Sequence, residues 1–406
     1  MCCLCGAKRL LTSSIYRKRY TAIAYLALFG YSRSQVGAIL NNSTHQRERV
    51  RWPPVANSVE IVADSISTRG HRLTTMVVTL PRIVLAEFNT HRMLSRNSAS
   101  SRAIPVRRQM EAIVHDTFTP VQFGTAIAGM NAGPPLSGDA DKIARQVWEE
   151  DRDAALWYSM VLTTSVEIVQ AEWDTGNYGS IGEMALSFAD RLETGDPELT
   201  GEGAFKVSKG LTNRLLEPFA WQTIIVTATE WDNFFALRTD SNAQEEIRTP
   251  AQMMLEAYNT STPVLVKEGG WHMPFIQELE LEWALENPEI ARKVVSARCA
   301  RVSYKTHDKE DPDLKKDVAF ADWLAGNGHM SPFEHTATPL NEREYAVRSM
   351  MSDVVQSNAH LLSKAALDEL TQMPELSGNF RGWSQYRREH PNQRVYVKPE
   401  PESESE

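Results

Sequence analysis

The chain has little cysteine: four residues, of which Cys2, Cys3 and Cys5 crowd one end and only Cys299 lies in the body. That excludes a disulfide-built scaffold and points to a reducing compartment, so a cytoplasmic location is expected. No apolar run approaches the roughly 18 to 20 residues that cross a bilayer, and the longest, Thr21 to Gly30, is too short. Arg17-Lys18-Arg19 precede that run as in a secretory signal. No small-residue cleavage site leading into a cysteine-rich domain follows, so it is not read as one. Basic excess is missing too: 43 Lys and Arg against 52 Asp and Glu leave a net charge of −9. A general nucleic-acid binder needs the opposite balance. No G-x-G-x-x-G follows a strand and no G-x-x-x-x-G-K-(S/T) occurs, which removes Rossmann and P-loop readings. His71, His272, His335 and His360 form no H-E-x-x-H or comparable set, and the three clustered cysteines lack a second pair, so no metal is expected.

What the chain has is a dense polar segment, Thr90 to Arg102. Arg92, Arg96 and Arg102, His91, Asn97 and four serines stand within thirteen residues. The apolar stretches Met76 to Leu80 and, after Pro81, Ile83 to Ala86 read as a buried strand leading into it. Arginine forks suit phosphate or a pyrimidine carbonyl edge, and hydroxyls and backbone N–H groups take the remaining oxygens. The segment is read as an anion and nucleotide site rather than a solvated turn.

Residues 1–55 read as a basic appendage, with nine Lys or Arg before position 53 against the single acid Glu48. Residues 56–390 read as the folded body, and 391–406 as an acidic disordered tail. Within the body, Val59 to Ala63 and His71 to Leu80 read as strands, and Asp141 to about Ala171 as one long helix. Gly129 to Gly138 and Asp196 to Gly203 read as loops. Leu211 to Phe219, Thr229 to Leu237, Ala243 to Tyr258 and Glu289 to Val295 read as helical, with Asn287-Pro288 as a cap and first-turn proline. Ala300 to Ser303 reads as a strand. Trp271 to Phe275 reads equally as pocket lining or core, and Arg381 to Arg387 as a pocket edge, a subunit contact or a surface turn.

Three further segments carry chemistry. Asn213 to Pro218 puts Arg214 on an apolar helix end, Leu237 to Ile247 alternates charge, amide and small residues, and Gly328 to His335 reads G-H-M-S-P-F-E-H. With the first segment they resemble the flavin-dependent thymidylate synthase family, whose signature is Arg-His-Arg, seven residues, then Ser. His91-Arg92 and Ser100 match that signature, with Asn97 and Arg102. Leu237 to Ile247 is similar to the family's L-R-x-D-x-x-A-Q-x-E-I, Ala300 to Ser303 to its A-R-V-S, and Gly328 to His335 to its G-H-x-(S/T)-P-F-E-H. Two departures stand out. The A-R-V-S and P-F-E-H motifs follow the arginine segment here, whereas the family order is the reverse. Thr90 stands where the first arginine is expected, and Ser98 where a glutamate is common.

The resemblance implies an α+β fold with an antiparallel sheet flanked by helices, and a homotetramer acting on neither nucleic acid nor membrane. It implies reductive C5 methylation of dUMP to dTMP, with FAD as cofactor and NADPH and methylenetetrahydrofolate as co-substrates. Methylation or hydroxymethylation of another pyrimidine nucleotide, or a non-catalytic nucleotide binder, are the alternatives that Thr90, Ser98 and the motif order keep open. Carried over, His91, Arg92, Asn233, Asn242, Ser303, Ser331 and Glu334 would contact FAD. Ser100, Ser101, Arg102 and Arg214 would hold the dUMP phosphate, with Glu87 and Ser98 at sugar or base. Arg238, His329 and Ser100 are the implied catalytic residues, Arg238 against the pyrimidine and His329 near folate and flavin. A thiolate mechanism would need an activated cysteine, and Cys299 reads instead as a packed core residue.

Overall fold

The structure, a computed structural model, describes residues 56–129, 132–277, 280–304, 313–346 and 378–390. The readings for residues 1–55, the tail from Pro391 and His360 fall outside them. In chain order the strands are β1 (Ser58–Ser67), β2 (Arg72–Pro81), β3 (Ser95–Ser98), β4 (Gly124–Ala126), β5 (Ala132–Pro135), β6 (Trp221–Ala228), β7 (Val264–Val266), β8 (Ala337–Pro339) and β9 (Trp383–Gln385). The principal sheet has the order β3-β6-β2-β1-β7. Every pairing in it is antiparallel except β1 with β7. The principal helices are α1 (Leu85–Asn89), α2 (Val106–His115), α3 (Asp139–Thr163), α4 (Val166–Asp174), α5 (Ile181–Thr194), α6 (Asp232–Arg238), α7 (Glu245–Thr260), α8 (Pro288–Tyr304) and α9 (Leu314–Gly326).

The two-residue period of a strand divides the central strands into two faces. Even positions Met76, Val78, Leu80, Ile224, Val226 and Ala228 form an apolar face that packs on Trp231, Phe234, Phe235, Ile247, Ala251 and Met254 from α6, α7 and their approach. Odd positions carry threonines: Thr79 and Thr223 hydroxyls lie 3.0 Å apart, Thr75 and Thr227 2.7 Å apart. Over this second face lie α8, through Val295, Cys299 and Val302 against Ile225, and the two separate stretches that carry β8 and β9. Helices α2 to α5 form a separate helical layer around Met110, Leu156, Met160, Met184 and Phe188.

Several sequence readings shift. Strand β2 stops at Pro81, which has no N–H for the ladder, and Ile83 to Ala86 turn through a 3-10 segment into α1 instead of extending the strand. The long helix breaks in two. Thr163 and Thr164 hydroxyls fold back on the Ser159 and Met160 carbonyls, and Ser165 caps the next helix by accepting from the Ile168 N–H. Part of Gly129 to Gly138 is strand β5, paired with β4. Pro197–Thr200 is a short helix capped by Asp196. Strand β6, WQTIIVTA, went unread although it is central to the sheet. Ala300 to Ser303 is helical, the last turn of α8. There Arg301 and Arg298 share Asp317 of α9, and Arg298 also takes both oxygens of Glu280 at 2.6 Å, which fixes α8 against α9.

Candidate functional site

Phe88 of α1 is fully buried, its ring 5.4 Å from that of Phe234 on α6, so α1 is anchored to the apolar face of the sheet. The loop from Thr90 to Leu94 then crosses to β3 between two guanidiniums. Arg96 on β3 donates to Asn89 Oδ1 at 2.6 Å, Asn89 O at 2.7 Å, His91 O at 3.0 Å and Leu94 O at 2.7 Å. Arg238, the last residue of α6, donates from Nε to His91 Nε2 at 2.9 Å, and from Nη2 to Thr90 Oγ1 at 3.1 Å and Glu87 O at 3.3 Å. Arg96, read from sequence as part of an anion cluster, is thus committed to shaping the loop.

Because Nε2 accepts from Arg238, the ring proton of His91 belongs on Nδ1. Burial holds the His91 pKa below its ordinary value, and the cations of Arg238 and Arg96 push it the same way. The ring is neutral at pH 7 and leans edge-on against Phe234 at 5.0 Å.

A second cluster forms around the turn that follows β3. Asn213 is fully buried and donates from Nδ2 to Ser101 O at 2.8 Å and Ile104 O at 2.9 Å. This ties the Ser100–Arg102 turn to the 3-10 segment Asn213–Phe219, which bears Arg214. The stem of Arg102 passes so close to Gly210 that a Cβ there would meet Arg102 Cγ at 2.9 Å. Ser100, Ser101, Arg102 and Arg214 therefore share one neighbourhood. The Arg102 and Arg214 side chains are exposed, and Arg214 has Glu217 only at 3.7 Å. Ser98 is half-buried on β3, and Glu87 is half-buried on α1. Glu87 Oε2, Ser101 Oγ and both amide atoms of Asn97 are buried with no hydrogen-bond partner among the described residues. Buried polar atoms are seldom left so, because each costs about 1 to 3 kcal/mol.

Arg82 was missed by sequence reasoning. It donates to Gln222 Oε1 and to Glu217 Oε1, while Gln222 Nε2 donates to Ala99 O, so the pair supports the backbone before Ser100. Its only sequence signal is a cation directly after the buried strand.

The remaining implied residues are more scattered. Arg92 is exposed beside His91, and Asn233 is exposed on α6 beside Phe234. Asn242 donates its N–H and side-chain amide to Asp240 Oδ1, forming a tight turn. Ser303 lies in α8, with its side chain outside the description. Ser331 is exposed at the start of a 3-10 turn. His329 is exposed and stacks on Trp323 at 5.4 Å and 19°. No described contact joins His329 or Ser331 to the Arg238–His91 pair.

Glu334 is nearer. It pairs with Arg387, and its charge opposes the lowering that burial imposes on Arg96. Strand β9 links it to β3, since Gln385 Nε2 donates to Ser95 Oγ at 3.0 Å and to Glu334 O at 3.2 Å. His335 Nδ1 meets Thr227 Oγ1 of β6 at 2.8 Å. The late motifs thus reach the strand that continues the early one, whatever their order in the chain. Trp383 and Tyr386 are core residues rather than a surface turn. Among the described residues no group of His, Cys, Asp and Glu could hold a metal, and no helix is long and apolar enough to cross a membrane.

An antiparallel-dominated sheet covered by helices defines an α+β protein, with polar clusters before and after its edge strand β3. The chain belongs to the family described as thymidylate synthase complementing protein, whose model matches residues 63–264. That family places it among pyrimidine-nucleotide methyltransferases. The matched range contains Thr90 to Arg102, Arg214 and Arg238 but ends before α8 and the P-F-E-H segment. Two solved structures similar to the chain are of the UMP/dUMP methylase PolB from Streptomyces cacaoi. The form bound with 5-Br UMP is 17% identical over 52% of this chain and 92% of that one, at a TM-score of 0.32. The form bound with 5-Br dUMP is 15% identical over 52% and 93%, at 0.31. At these TM-scores the likeness bears on neither fold nor substrate. No curated protein matches the chain by sequence.

Proposed function

We propose that the protein methylates C5 of dUMP to give dTMP, with methylenetetrahydrofolate as one-carbon donor and NADPH as reductant. The observation that carries the reading is the fixed Arg238–His91 pair before β3, with the turn bearing Ser100, Ser101 and Arg102 after it. Arg102 and Arg214, with the Ser100 and Ser101 hydroxyls, bind the 5′-phosphate as charge-assisted donors. Ser101 Oγ and Glu87 Oε2, without partners among the described residues, suit such a nucleotide: the hydroxyl can donate to the phosphate, and the carboxylate can accept from a sugar hydroxyl or base N–H. Arg238 faces the pyrimidine and stabilises negative charge as C5 becomes nucleophilic. A neutral His91 adds no competing cation there and orients Arg238 through Nε2. Ser98 meets the sugar or base.

Polar groups open to a flavin dinucleotide support a cofactor role. Arg92, Asn233 and Ser331 are exposed and uncommitted among the described residues, while Glu334 is held by Arg387. With His91, Asn242 and Ser303 they would hold FAD, which when bound supplies the reducing equivalents that complete the methyl group. His329, on its Trp323 stack, would offer a flat face to folate. A homotetramer would complete these sites from more than one chain.

The test is the absorbance of the purified protein with FAD, then anaerobic NADPH, then dUMP with methylenetetrahydrofolate. Flavin bands that bleach with NADPH, and return as dTMP forms, are expected. A flavin-free protein that binds dUMP without turnover would overturn the enzyme reading, and a hydroxymethyl product would overturn the methyl assignment.

A further inference from the structure

Thr90 departs from the family signature, and its surroundings give it work that the expected arginine cannot do. Its hydroxyl donates to Glu87 O at 2.7 Å and accepts from Arg238 Nη2 at 3.1 Å. Arginine has five donors and no acceptor, so an arginine at this position would offer Arg238 a like charge instead of a lone pair. Without the hydroxyl, Nη2 would keep only Glu87 O, the longest of the three bonds at 3.3 Å. The remaining bond, from Nε to His91 Nε2, fixes one point of a planar fork and leaves it free to pivot. Arg96 holds the same loop from its other side, so the acceptors themselves are rigid. The guanidinium is thereby held along its Nε–Nη2 edge, and Nη1 has no partner among the described residues.

We infer that Thr90 is a positioning residue for Arg238: its hydroxyl locks one edge of the guanidinium so that Nη1 is presented to the pyrimidine nucleotide. The role of Nη1 rests on the function proposed above. The lock itself does not.

The experiment compares Thr90→Val, which keeps the shape and removes the hydroxyl, with Thr90→Ser, which keeps the hydroxyl. The full-length protein is labelled with ¹⁵N-histidine, and the His91 Nε2 resonance is read alongside dUMP affinity by calorimetry. In Thr90→Val the resonance is expected to move as the Arg238 bond loosens, with dUMP affinity down about fivefold, less than the loss of a whole charge-assisted bond because Nη1 itself is kept. Thr90→Ser is expected to match the parent in both. A merely structural threonine would change melting but leave the His91 resonance in place, and that result overturns the proposal, as does equal behaviour of the two variants. A parent that does not bind dUMP, with a His91 resonance that still responds to Thr90→Val but not to Thr90→Ser, supports the lock and overturns only the nucleotide reading.

Discussion

His272 and His335 are joined across the central sheet by the hydroxyls of Thr75 and Thr227. His272 Nε2 lies 2.7 Å from Thr75 Oγ1, the two hydroxyls are 2.7 Å apart, and Thr227 Oγ1 lies 2.8 Å from His335 Nδ1. Ser65 Oγ closes the far end at 2.8 Å from His272 Nδ1. Each hydroxyl has one proton to give, so the chain runs in one direction at a time, and each direction assigns complementary tautomers to both rings. The chain ends at His335 Nε2, which is buried without a described partner.

Burial holds both imidazoles at a pKa of about 3, against an ordinary value of 6.5. Both are neutral when folded at pH 7, while the unfolded chain protonates them below pH 6.5. Their contribution is therefore whole above pH 6.5 and is lost as pH falls toward 3. Stability measured by urea unfolding should fall through that window with a slope of at most about 2.7 kcal/mol per pH unit for two protons. His335→Gln should roughly halve the slope. An unchanged slope in that variant would remove His335 from the account.

Replacing Arg102 or Arg214, the two arginines proposed for the phosphate, should weaken nucleotide binding without unfolding the protein, because both side chains are exposed. Arg102→Ala and Arg214→Ala are each expected to lower dUMP affinity by about 1.5 to 3 kcal/mol, the range of a charged hydrogen bond. Calorimetry that gives the parent affinity for both variants would refute the phosphate assignment.

Cys299 is fully buried against Ile225, Val295 and Val302, and burial pushes its thiol far above the ordinary range. Such a thiol forms no thiolate at neutral pH. Cys299→Ala should leave turnover within about twofold of the parent and lower stability by about 1 kcal/mol, as for a typical core trimming. A folded but inactive variant would point to sulfur chemistry after all.

Gly382 lies where the β9 segment crosses His71. Its φ is +75°, and an added Cβ would come within 2.1 Å of His71 Cδ2. Next to it Trp383 is buried and donates from Nε1 to the His71 carbonyl at 3.0 Å. Gly382→Ala should cost about 1 to 3 kcal/mol through strain at a left-handed position, more if His71 cannot give way. Thermal melting compared with Ser384→Ala, a nearby half-buried position, would check it. Equal melting temperatures would show that the segment docks by other contacts.

The sequence by itself determined much of the scaffold. The apolar, β-branched run Met76 to Leu80 marked a strand, the segment Ala243 to Tyr258 marked a helix, and the crowding of arginine and serine in Thr90 to Arg102 singled out the segment proposed as the site. It determined the family through short motifs whose residue types do not depend on order. It could not tell which arginines are spent on the fold. Arg96 and Arg238 lie close to the same loop and share a chemistry, yet one is consumed by four oxygens while the other keeps an edge open. That distinction arises from carbonyl positions set by tertiary packing. Only the fold brought Gln385 to Ser95 and His335 to Thr227, because contacts between residues far apart in sequence are made by the register of strands and the docking of segments, and local patterns carry no record of either. The threonines at 75 and 227 show the same limit: as sequence they are ordinary strand residues, and as neighbours across one sheet they become the middle of a buried chain between two histidines.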